Sequence, residues 1–106
     1  MKRYDIFGAD LEPTRGSEIS KVRPVVVVSL DVLNAALATV TVCPLTSQLH
    51  PGWRSRVLIH CAGKSAEIAV DQIRTISKQR LGRKMASLTE DEAAALRRVI
   101  TEMYGE

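Results

Sequence analysis

The chain has 106 residues, 45% of them hydrophobic and 25% charged, the composition of one globular domain rather than two. No apolar run approaches the roughly 20 residues that span a bilayer, and no long apolar stretch follows the basic start at Lys2 and Arg3, so neither a membrane segment nor a secretory signal is expected and the cytoplasm is the expected location. The net charge of +3 is uneven: Glu90 to Glu106 holds five acids and two bases and carries −3, leaving +6 on the other 89 residues, which reads either as a solvated surface or as a body built for a polyanionic partner.

The first two-thirds of the chain reads as short strands divided by turns. Tyr4–Leu11 alternates in part, with Phe7, Ala9 and Leu11 on one face. Glu12–Val22 is a polar loop with Pro13 and Gly16. Pro24–Ser29 contains four consecutive valines and predicts a buried strand. Asp31–Ala38 suits a short helical turn. Thr39–Pro44 alternates Val40 and Val42 with threonines and predicts another strand. Leu45–Ser55 is a second polar loop with Pro51 and Gly52. Arg56–His60 and Glu67–Ile76 complete the expected strands.

The C-terminal segment has a different period. Thr89 can cap a helix, with Glu92 three residues on to complete a capping box. Glu90, Asp91 and Glu92 suit the positive end of its dipole. Leu96, Val99, Ile100 and Met103 form one apolar stripe at helical spacing, and Gly105 ends it. The expected fold is mainly β (α+β): a small barrel of short antiparallel strands with a C-terminal α-helix, a single domain over 1–106.

Cys43 and Cys61 match no zinc or redox spacing and read as reduced, buried thiols. No pattern of His, Cys, Asp and Glu suggests a metal, no Gly-rich phosphate loop is present, and no cofactor is expected.

Three ordered blocks carry a family resemblance. Pro13-Thr14-Arg15-Gly16-Ser17-Glu18 leads into Val22-Arg23-Pro24 and the valine strand. Val42-Cys43-Pro44-Leu45-Thr46-Ser47-Gln48 ends the next strand. Asp71-Gln72-Ile73-Arg74-Thr75-Ile76 follows. In this order and separation the blocks resemble MazF/PemK toxins over nearly the whole chain. The resemblance implies an SH3-like barrel, a homodimer, metal-free and sequence-selective cleavage of single-stranded RNA, and a cognate antitoxin that occupies the RNA groove.

Cleavage by the substrate's own 2′-hydroxyl needs a proton acceptor, charge neutralisation at the phosphoryl oxygens and help for the leaving 5′-oxygen. Arg23 offers a planar fork for phosphate oxygens, and the resemblance gives it and Thr46 catalytic roles. A structural ion pair of Arg23 with Glu18 or Asp71, and a turn-capping hydroxyl at Thr46, are the plain alternatives. Asp71 is a candidate base or an orienting group. Some relatives pair an acid there with an Arg two residues earlier, where this chain has Ala69. Some carry a His at the position of Ser17, so Ser17 reads as a binding residue. Glu18, Ser47, Gln48 and Gln72 are further candidates for RNA contact, Gln72 through its donor and acceptor groups. Trp53, Arg54 and Arg56 suit stacking and charge contact with RNA, although Trp53 packed under its own loop is as simple. Lys78, Arg80, Arg83 and Lys84 form a basic cluster, either solvated or tracking a backbone. A non-enzymatic topoisomerase poison of the CcdB kind and an inactive RNA-binding barrel are the competing functions.

Overall fold

The computed structural model describes residues 1–11 and 22–105. Ser17 and Glu18, with most of the first loop, lie outside them. Seven strands, β1 (Asp5–Asp10), β2 (Val22–Val27), β3 (Thr39–Thr46), β4 (Arg56–Cys61), β5 (Lys64–Ala69), β6 (Arg74–Ser77) and β7 (Leu81–Ser87), are joined by a short helix α1 (Asp31–Ala36) and closed by α2 (Glu90–Tyr104). The pairings are antiparallel, in the order β4-β5-β3-β2-β1-β7 with β6 also on β3. The sheet curls into a half-barrel around β3, the mainly β architecture that the strand spacing suggests.

The valine run is continuous because β2 is buried on both faces. Val25 and Val27 join Ala9, Leu11, Val40, Val42 and Ile76 in one cluster. Val26 and Val28 join Ile6, Cys43, Leu45, Ile59, Ile68 and Leu96 in the other, beneath α2. A strand with one wet face would alternate; this one has none. Leu96 is fully buried, and Val99 and Ile100 pack beside it. Met103, assigned to the same stripe from its spacing, is 37% exposed. Ala93 is buried on the helix instead and Ala95 partly so, where α2 packs on β4.

The capping box forms as the residues suggest: Thr89 Oγ1 accepts from the Glu92 N–H at 3.1 Å, and Glu92 accepts from the Thr89 N–H at 2.9 Å. At the other end, the Tyr104 hydroxyl donates to the Val70 carbonyl at 2.9 Å. That bond ties the helix end to a 3-10 turn, Val70–Gln72, which interrupts what the sequence suggests is one strand from Glu67 to Ile76. The interruption lets β5 pair with β4 while β6 returns to β3. Strand β7 is not signalled by the sequence pattern. Most of its residues are exposed, so it lacks the apolar alternation that would reveal a strand.

The basic cluster is partly engaged. Lys78 bonds the Asn34 carbonyl, Arg80 the Asp10 carbonyl at 3.2 Å, and Lys84 pairs with Asp5 at 3.5 Å. Both cysteines are buried and reduced. Burial, helped by the Asp71 charge, pushes the Cys43 thiol up to about 12. No helix is long and apolar enough to cross a membrane among the described residues.

Candidate active site

Strand register brings two of the sequence blocks together. Val25, Val26 and Val27 face Pro44, Cys43 and Val42 across β2 and β3. Arg23 lies two residues before Val25 on β2 and Thr46 two residues after Pro44 on β3, and both line one hollow. Thr46 in turn faces Glu67 on β5. The curled sheet passes from one pairing to the next between Pro44 and Leu45, just before Thr46.

Two hollows meet at that residue. The first, about 350 Å³, is lined by Arg23, Thr46 and Ser47, with Lys64 and Met85 on its walls. The second, about 380 Å³, is lined by Thr46, Gln48, Trp53, Arg56, Asp71 and Gln72. Seven of the residues singled out from sequence therefore sit around an eighth, the buried Thr46. Ser47 and Gln48 are exposed and Gln72 half-buried, so the first two are open to a ligand from solvent.

Thr46 Oγ1 accepts the Gln48 N–H at 3.1 Å, which fixes the turn after β3. A hydroxyl has one hydrogen to give and two lone pairs to fill. The turn uses a lone pair, so capping the turn and donating into a hollow are compatible roles.

The second hollow rests on a buried charge network. Arg56 Nη1 lies 3.3 Å from Glu67 Oε1, and its Nε bonds Asp71 Oδ1 at 3.1 Å. Both Glu67 oxygens accept the His50 N–H, at 3.0 and 3.1 Å. The ring of His50 stacks on Trp53 at 3.8 Å with 13° between planes, and the Arg56 guanidinium lies 4.9 Å from the Trp53 ring centre. Loop residues 50–53 are thereby pinned to β5. Trp53 stays 51% exposed, so it is not packed beneath its own loop. The Arg56 guanidinium, expected from sequence at the RNA surface, is instead almost enclosed and paired with two carboxylates. Asp71, a candidate base or orienting group from sequence, bonds Arg56.

Arg54 lines neither hollow. It reaches out to Glu102 on α2 at 3.1 Å, an ion pair between two exposed side chains of little energetic weight. Glu67 was not singled out from sequence. The signal was there: an acid within Ala66-Glu67-Ile68-Ala69-Val70, between apolar strand residues, must be exposed at an edge or paired with a buried cation. Among the described residues no group of three or more His, Cys, Asp and Glu side chains could hold a metal ion.

The chain matches a family model described as PemK-like, MazF-like toxin of type II toxin-antitoxin system, over residues 2–104. It is 31% identical to an Endoribonuclease MazF from Staphylococcus saprophyticus, over 99% of this chain and 92% of that protein. Among solved structures it is similar to the Mycobacterium tuberculosis toxin MazF-mt6, at 26% identity and a TM-score of 0.78, covering 92% of this chain and 93% of that one. A mycobacterial endoribonuclease solved in complex with its cognate antitoxin shares the fold at 19% identity and a TM-score of 0.84, covering 99% and 95%.

Proposed function

The chain belongs to the PemK-like, MazF-like toxins of type II toxin–antitoxin systems, and from that premise we propose that it is the toxin of such a pair, an endoribonuclease that cuts single-stranded RNA at selected sequences and so arrests translation and growth. The observation that carries this reading is the joint placement of Arg23 and Thr46 on one hollow.

The reaction suited to these groups is transesterification. The 2′-oxygen attacks the adjacent phosphorus, its proton passes to a base, and the bond to the 5′-oxygen breaks as that oxygen takes up a proton. A 2′,3′-cyclic phosphate and a 5′-hydroxyl result. Charge builds on the non-bridging oxygens of the phosphorane, where Arg23 and the Thr46 hydroxyl supply fixed donors. Among the described residues Asp71 is the carboxylate that lines the Thr46 hollows, and it serves either as the base or as the group that sets Arg56 in place. Ser47, Gln48 and Gln72 meet the RNA; Gln72 can donate to and accept from an unstacked base edge. None of these steps calls on a metal.

The antitoxin is a second protein partner, acting by covering the RNA groove. A homodimer in the cytoplasm is the expected form of the free toxin. End-group analysis tests the chemistry. Incubation with a long single-stranded RNA in EDTA is expected to give discrete cuts with cyclic phosphate and 5′-hydroxyl ends. Products with 5′-phosphate ends would overturn the 2′-hydroxyl mechanism, and the absence of cuts by folded protein would overturn the activity.

A further inference from the structure

Lys64 and Met85 belong to none of the sequence blocks, yet both line the hollow that holds Arg23 and Thr46. Lys64 reaches it through a strained turn. β4 and β5 are joined by two residues, Ala62 and Gly63, with φ of 53° and 78°. Cys61 pairs with Lys64 across that turn. Two left-handed residues match the twist of the flanking strands, which is why Asn-Gly is the common choice. Glycine adopts this conformation freely, whereas alanine pays about 1 kcal/mol for it. The strained residue is itself part of the wall of the hollow, and strain of this kind collects at functional sites.

The two hollows differ in chemistry. The one with Lys64 has Pro24, Leu45, Ala62, Ala66 and Met85 among its walls and Arg23 as its other cation. The one beyond Thr46 presents Gln48, Asp71 and Gln72. Each is at the small end of the ~300–1,000 Å³ typical of ligand pockets. Because they meet at Thr46, a strand whose phosphate sits on that hydroxyl would put one neighbouring nucleotide in each. We infer that the apolar hollow is a nucleotide subsite beside the scissile phosphate, in which Lys64 binds a backbone phosphate of single-stranded RNA and Met85 packs on the base.

This rests on the reading of the protein as an RNA-cleaving toxin, and the test separates the two. The probe is a fluorescent oligoribonucleotide containing the mapped cut site, with 2′-deoxyribose at the scissile position to remove the nucleophile; without a mapped site, an oligouridylate of the same length serves. Anisotropy titrations over a series of salt concentrations compare the wild type, Lys64→Ala and Lys64→Arg. Lys64 is exposed, so the variants are expected to melt like the wild type. Lys64→Ala should bind roughly five- to tenfold more weakly, with a salt slope shallower by about 0.7 for one lost phosphate contact. Lys64→Arg should restore both. Met85→Asp should weaken binding further. Wild-type affinity and salt slope in Lys64→Ala would overturn the subsite, and so would a wild type that does not bind the probe. Probe binding that depends on Lys64, together with no cleavage of all-ribose RNA, would sustain the subsite and overturn the enzymatic reading.

Discussion

Arg56 and Glu67 form an ion pair whose side chains are only 9% and 5% exposed, with 3.3 Å between Nη1 and Oε1. A charge this enclosed is stable only while its partner stays in place. Glu67 also accepts the His50 N–H, and Arg56 also bonds Asp71, so one pair joins the loop after β3 to the turn after β5.

Glu67→Ala should therefore cost about 2 kcal/mol or more of folding stability, because it removes one of the two carboxylates that hold a buried guanidinium and leaves the His50 N–H without its acceptor. Urea unfolding followed by circular dichroism measures it. Replacing both residues, as Arg56→Met with Glu67→Leu, should recover part of that loss. A single-variant cost below about 1 kcal/mol would place the pair in solvent.

Thr46 can be probed without emptying its space. Thr46→Val keeps the shape and removes the hydroxyl, and kcat should fall about 100-fold or more, the usual cost of losing one transition-state donor. Thr46→Ser should keep most of the rate. If Val and Ser variants lose equally, the methyl group rather than the hydroxyl matters, and Thr46 is a turn residue only.

Asp5 links stability to pH. Burial raises its pKa, but the Ser87 hydroxyl at 2.8 Å, the Lys2 N–H at 3.0 Å and Lys84 at 3.5 Å outweigh burial and hold it below the usual 3.8. A folded value below the unfolded one adds stability that is complete above the unfolded pKa and is lost as pH falls through the folded one. Stability should thus fall as pH drops through and below the ordinary carboxylate range, and Asp5→Asn should flatten that fall. Parallel pH curves for the two proteins would remove Asp5 from the account.

The sequence revealed most where a residue pattern has one physical cause. Four consecutive valines require a strand wet on neither face, and Thr89 with Glu92 requires a helix start. The blocks around Arg23, Thr46 and Asp71 could be ordered along the chain, but their meeting point depends on register, which no local pattern states. The charge of Arg56 looked available to RNA because its two carboxylates come from β5 and the following turn, 11 and 15 residues away. Strand β7 stayed hidden because its side chains are mostly in water. Lys64 stayed hidden because a hairpin turn, not a motif, brings it to the hollow.

The proposed function turns on Arg23 stabilising the phosphorane in RNA cleavage. Single-turnover cleavage of one mapped single-stranded RNA, in EDTA, by the wild type, Arg23→Ala and Arg23→Lys tests it most directly. The rate should be at least about 100-fold lower for Arg23→Ala and only partly recovered in Arg23→Lys, because the planar fork is gone, with native melting curves for both. Cleavage by folded Arg23→Ala at the wild-type rate would contradict it.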